Sequence, residues 1–222
     1  MSVQLLAMAL APLLGLFIIS IGNGMLSSLT TLRLDSLGES ATMVGIVSSA
    51  YFIGLTLGSI FNDRLIVRIG HIRAYSCFAA LIATTILFQG LSSDPWTWFA
   101  LRLINGWASV GVFLVVESWL LIAADPKIRG RLLALYMIAL YGAGLLGQAN
   151  LGVIAQTGDT IPFMIAAILA SLSMLPIVMI PRVTPVVERA EPLMPWQLLR
   201  ATPTGVIGCF GSGLAIAAVY AL

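Results

Sequence analysis

The sequence predicts an all-α membrane protein, a six-helix bundle followed by a seventh transmembrane helix, and three features carry that expectation. Of the 222 residues, 59% are hydrophobic and only 9% are charged, with a mean hydropathy of +1.04. Soluble domains carry about 25% charged residues. A chain of this length has no core large enough to hide that much apolar surface, so lipid is its solvent. Apolar stretches of about 20 residues, the length that crosses a bilayer, recur seven times. The breaks between them are mostly short and polar, and their positive charges fall on alternate sides.

The stretches cover residues 5–29, 41–62, 74–91, 96–124, 132–155, 161–180 and 204–222. Residues 1–180 make the six-helix bundle, 181–203 a cytoplasmic linker, and 204–222 the seventh helix. The first stretch is not expected to be a signal peptide, because Met1 to Gln4 hold no Lys or Arg and the apolar run is too long. Gly45 with Ser49, and Gly54 with Gly58, give the second stretch small-residue rows of the kind that let helices approach closely. Gly142, Gly144, Gly147 and Gly152 do the same in the fifth. Trp96 and Trp98 mark the outer entry of the fourth, as an aromatic belt does. The linker is Pro-rich and charged. Its stretch 194–200, with Trp196, reads equally as a short interfacial helix or as solvated chain.

Positive charge sets the orientation. Arg64, Arg68 and Arg73 lie in the break at 63–73, which also holds Asp63 and a lone His71 in a charged loop. Lys127, Arg129 and Arg131 lie in the next inner break, and Arg182, Arg189 and Arg200 in the linker. Together they are nine of the eleven Lys and Arg residues. The N-terminus and the linker are therefore expected in the cytoplasm of a bacterium, with the chain in its inner membrane. A net charge of +2 gives no sign of nucleic acid binding. Cys77 and Cys209 lack any CxxC or His neighbour, so neither a metal site nor a disulfide is expected, and no cofactor is called for.

The helices differ in polarity. The sixth has no charge or amide, and the third only Ser76, Thr84, Thr85 and Gln89, which marks both as peripheral. The others carry polar stripes at helical spacing: Ser20, Asn23 and Ser27; Ser49, Thr56 and Ser59; Arg102, Asn105 and Ser109; Tyr141, Gly144 and Gln148. Four striped helices imply a bundle around an aqueous cavity. Asn23, Arg102 and Gln148 share one level, about 10 Å below the outer surface at 1.5 Å per residue. An unpaired Arg at that depth costs about 3 kcal/mol on insertion scales, so it faces water or polar neighbours. Arg102, Asn105, Asn23 and Gln148 thus read as a substrate or proton site, or else as a hydrogen-bonded cluster joining helices. Glu117 lies about 22 Å further along the same helix, too far to pair with Arg102. It reads as a brace to Arg64 or Arg68, or as a proton-coupling carboxylate.

The stretches Arg68-Ile69-Gly70-His71-Ile72-Arg73, Arg102-Leu103-Ile104-Asn105-Gly106 and Arg129-Gly130-Arg131, with Glu117-Ser118-Trp119-Leu120, resemble the major facilitator superfamily, in particular its YcaD-like branch. The first is similar to the family's Gly-Asp-Arg-Gly-Arg loop and the second to its Arg-x-x-Gln-Gly motif. Two departures stand out. Val67 occupies the position of the loop's acid, with Asp63 one turn earlier, and the fifth helix lacks the Pro of the antiporter pattern. The resemblance implies alternating access by a secondary transporter; the polarity of the striped helices points to a small polar or anionic solute, with protons as a candidate coupling ion. A cavity would be lined by the first, second, fourth and fifth helices, and Asp63, Arg64, Arg68, Arg73, Glu117 and Arg129 would be the gating or coupling candidates. A non-transporting structural protein and an intramembrane enzyme are the rival readings. No intramembrane His, GxSxG or paired acids support an enzyme. The seventh stretch echoes the first: Pro12 and Gly22-Asn23-Gly24-Met25-Leu26 correspond to Pro203 and Gly211-Ser212-Gly213-Leu214. This parallel repeat implies a C-terminal half missing from the chain.

Overall fold

The computed structural model describes residues 3–123, 127–179, 200 and 202–221, and among them the regular structure is helical. Two compact units divide the chain, at Met1–Val187 and Glu188–Leu222. The first holds α1 (Val3–Ser36), α2 (Ala41–Ile69), α3 (His71–Leu91), α4 (Pro95–Ala123), α5 (Arg129–Ile154), a 3-10 turn (Ala155–Thr157), α6 (Ile161–Leu172) and α7 (Met174–Val178). Six helices of this unit, counting α6 and α7 as one, are long and apolar enough to cross a membrane. The second unit holds α8 (Pro203–Ala221), whose first turn is closed by the Val206 N–H donating to the Thr202 carbonyl. The linker stretch expected at 181–199, including Trp196, lies outside the described residues.

Local chemistry sets the helix ends. The Ser40 hydroxyl accepts the Met43 N–H at 3.2 Å and caps α2. Asp94 accepts the Thr97 N–H and hydroxyl, each at 2.7 Å, and caps α4, with Pro95 at the first helical position. These two bonds hold the Asp94 carboxyl below its ordinary range. A single residue, Gly70, separates α2 from α3. Its φ of 85° lies in the left-handed half of the map, its N–H donates to the Ile66 carbonyl, and its carbonyl accepts from Ala74.

Gly70 corrects the expectation of a loop over residues 63–73. Asp63, Arg64 and Arg68 are on the last turns of α2, and Arg73 is on the first turn of α3. Arg64 and Arg68 end the apolar run, but arginine is a good helix former, so the helix continues past them. The expectation of His71 in a charged loop is corrected too. It opens α3 and is 2% exposed, with Nε2 at 3.0 Å from Ser118 Oγ and its ring edge-on to Trp119. Ser118 donates its own proton to the Leu114 carbonyl at 2.6 Å, so the His71 Nε2–H is the donor. Of the two tryptophans expected in the belt, Trp96 is exposed and Trp98 is buried. Two residues apart on a helix, they face opposite ways. Trp98 Nε1 donates to the Ser92 carbonyl, and its ring meets Phe163 of α6.

The bundle has three layers. α1 and α4 form the middle, α2 packs on α4 and α5 on α1, and α3 and α6 close the opposite side against α4, α1 and each other. α2 and α5 are the least covered spans, 28% and 22% buried inside the bundle against 50% for α3 and α4, so the apolar faces of α2 and α5 remain open.

Two matched helix crossings recur in this arrangement. A Cβ on Gly24 would strike the Gly144 carbonyl, and one on Gly147 the Ile21 carbonyl. In the same register, a Cβ on Gly106 would strike the Tyr51 carbonyl, and one on Gly54 the Leu103 carbonyl. The α1–α5 and α4–α2 crossings are therefore counterparts, with residue offsets of 82 from α1 to α4 and 93 from α2 to α5. Ser20, Asn23 and Ser27 correspond to Arg102, Asn105 and Ser109, and Gly144 corresponds to Tyr51.

Candidate functional site

Arg102 lies one turn before Gly106, where α4 crosses α2. The absence of a Cβ at Gly106 and Gly54 brings the two backbones together there. The residue is 3% exposed, and its guanidinium carbon sits 4.8 Å from the centroid of the Tyr51 ring. A desolvated cation–π contact is worth about 2 kcal/mol, which offsets much of the insertion cost of the charge but satisfies none of its N–H donors in the guanidinium plane. The Nε has no hydrogen-bond partner, and among the described residues no carboxylate lies in ion-pair range of Arg102.

The other residues of the predicted cluster divide between helices. Asn23, half-buried on α1, donates from Nδ2 to Ser109 Oγ of α4 at 3.4 Å, and its Oδ1 is buried without a partner. Asn105 is 1% exposed and turns toward α3, donating to Thr85 Oγ1 at 3.1 Å, and its Oδ1 is likewise unpartnered. Gln89 of α3 donates to Thr30 Oγ1 of α1 at 3.2 Å. These bonds stitch α1, α3 and α4 together. Gln148 is half-buried on α5, and Ser20 Oγ is buried and unpartnered on α1.

At the other end, Asp63, Arg64, Arg68, Arg73 and Arg129 are exposed. Glu117 is half-buried on α4 and close enough to Tyr136 of α5 to act on it electrostatically. No ion pair joins Glu117 to Arg64 or Arg68 among the described residues. At the opposite end of the bundle an ion pair joins Arg33 and Asp159 at 2.8 Å, tying the end of α1 to the turn before α6. No group of three metal-ligating side chains occurs among the described residues.

Sequence reasoning missed Tyr51 and the partners Thr85 and Thr30. The signal for Tyr51 was present as the 82-residue offset between the two Asn-Gly pairs, Asn23-Gly24 and Asn105-Gly106, which identifies α4 as the counterpart of α1 and α2 as that of α5.

Residues 12–222 match the family model of the Major Facilitator Superfamily. The chain belongs to the major facilitator superfamily. Among curated relatives of this superfamily, an uncharacterized MFS-type transporter of Yersinia pestis (strain Pestoides F) is 32% identical over 213 residues, covering 95% of this chain and 55% of the relative. One from Enterobacter sp. (strain 638) matches with the same identity and coverage. The uncharacterized MFS-type transporter YcaD of Salmonella enteritidis PT4 (strain P125109) is 31% identical over 211 residues, again covering 95% of this chain and 55% of the relative. The chain thus spans about half the length of the curated relatives that it matches. The six membrane-length helices and the superfamily make it a multi-pass membrane protein of a transporter family.

Proposed function

We propose that this chain carries the N-terminal bundle of a secondary active transporter that moves a small solute by alternating access. Solute binds between this bundle and a second one, supplied by the length that the relatives have beyond the match. The observation that carries the reading is Arg102, a charge 3% exposed in a lipid-solvated bundle with no carboxylate partner among the described residues. A structural joint would have paired it. Asn23 and Gln148 line the same level, and the Asn105 amide holds α3. Glu117, Asp63 and the arginines at 64, 68, 73 and 129 serve gating or proton coupling at the inner end. We read the protein as a transporter and not as an enzyme.

The Arg102→Ala variant of the complete protein is expected to insert in the membrane at the wild-type level and to lose transport. Transport at the wild-type rate would sink the assignment, and loss of insertion would make Arg102 a joint between helices. We assign the chain to the bacterial inner membrane with the N-terminus inside, on the nine basic residues placed on one side. Reporter fusions after Arg68 and after Arg129 should both read cytoplasm; a periplasmic signal from either reverses the map.

A further inference from the structure

We propose that His71 is a pH-sensitive latch fastening α3 to α4 at the end of the bundle that carries Arg64, Arg68 and Arg73, closed while the imidazole is neutral and released when the solution at that end turns acidic. The side chain is 2% exposed, although it opens α3 in a basic stretch. Gly70, at a φ of 85°, turns the chain so that the ring lies against α4. The partners it finds there are uncharged. Its Nε2–H donates to Ser118 Oγ at 3.0 Å, and its ring stands edge-on to Trp119. Ser118 gives its own proton to the carbonyls of Leu114 and Val115, at 2.6 and 3.1 Å, so it serves His71 as an acceptor.

A proton on Nδ1 would put a cation in this site. Burying a charge is costly unless an opposite charge pairs with it. Among the described residues no carboxylate forms an ion pair with His71. On α2, Asp63, Arg64 and Arg68 are exposed; on α3, Arg73 and Cys77 are exposed and Tyr75 is buried one turn along. Glu117 precedes Ser118 on α4, but successive residues of a helix point about 100° apart. Its carboxylate acts on Tyr136 of α5. Lys127, Arg129 and Arg131, at the start of α5, are exposed and positive. α1, α6 and α7 bring no ionisable side chain to this end. The closed latch therefore holds the neutral ring. An opened one, in water, takes the proton near the ordinary histidine value of about 6.5. Lowering the pH through that value favours opening.

The opposite end of the bundle has a joint of the same build that does carry charge. Asp159 follows Gly158, also at positive φ (123°), and pairs with Arg33 of α1 at 2.8 Å. Ser36 donates to the Arg33 carbonyl as Ser118 does to that of Val115, at the offset of 82 residues that relates α1 to α4. One joint thus holds an ion pair, and the other a titrating ring with a neutral partner.

Hydrogen exchange of the complete protein in lipid nanodiscs, read by mass spectrometry at pH 7.5 and 5.5, tests the latch. Wild type and His71→Gln are compared at equal pH, so the intrinsic exchange rate cancels. Glutamine keeps an N–H donor for Ser118 and does not titrate. For the amides of Ala74 to Phe78, the ratio of wild-type to variant exchange should rise by up to about tenfold from pH 7.5 to 5.5. That is the limit for one proton taken up on opening, about one unit below 6.5. Around Arg33 and Asp159 the ratio should stay constant. An equal pH response in the two proteins would overturn the proposal. So would slower wild-type exchange at pH 5.5, because an acid would then be holding the imidazolium. A rise spread over every helix would also refute it, as global unfolding and not the release of one joint. If His71→Gln does not insert, Ser118→Asp decides. Its carboxylate gives the imidazolium a partner, so exchange at Ala74 to Phe78, corrected for the intrinsic rate, should not rise on acidification; a rise as large as in the wild type would sink the latch. None of these outcomes involves the solute, so the transporter reading stands or falls separately.

Discussion

Arg102 and Asn105 sit one turn apart on α4, yet one meets α2 and the other α3. The sequence spacing places both on one polar stripe, and depth places them level with Asn23 and Gln148. Spacing does not say which neighbour each meets, because a stripe about a third of a turn wide touches two helices at once. His71 was legible only as a polar residue in a basic stretch. Its burial follows from Gly70, which turns the chain so that the first residue of α3 lands on Ser118 and Trp119 of α4. The bond to Ser118 and the edge contact to Trp119 should each contribute about 1 kcal/mol. A double-mutant cycle of His71→Ala and Ser118→Ala, read as thermal unfolding in detergent, is expected to give a coupling of about 1 kcal/mol. Additive losses would mean that the two side chains do not act together.

At the level of elements, the number and order of the helices were legible because lipid demands about 20 apolar residues per span. The ends were less so. Hydropathy stops at the first charge, whereas backbone hydrogen bonds continue through Asp63 to Ile69 until Gly70 breaks the helix. The first helix likewise runs to Ser36, seven residues past its apolar run, and brings Arg33 within 2.8 Å of Asp159. The sixth span divides at Ser173, whose hydroxyl donates to the Ala170 carbonyl at 2.6 Å. Back-bonding of this kind competes with the backbone ladder, an effect that composition does not reveal.

Across the whole first unit, the small residues divide by what they face. Glycine counts in α2 and α5 suggested close packing without saying where it occurs. The two equivalent crossings supply the answer. At Gly24, Gly54, Gly106 and Gly147 an added Cβ would meet the backbone of the neighbouring helix, which has no rotamer to move away. At Gly142 and Gly152 it would meet nothing within 4 Å. Alanine at any of the first four should therefore separate two helices and forfeit their van der Waals packing, the main force joining helices in lipid. The cost should be that of overpacking, about 1–3 kcal/mol. Alanine at Gly142 or Gly152 should instead be neutral or stabilising by up to about 1 kcal/mol, the difference in helix propensity. Thermal unfolding followed by size-exclusion chromatography tests both, and the symmetry adds a sharper requirement. Gly24→Ala and Gly106→Ala occupy matching places, so their losses should be similar even though only the second lies beside Arg102. A loss at one crossing and none at the other would mean that the two joints do not carry equal weight.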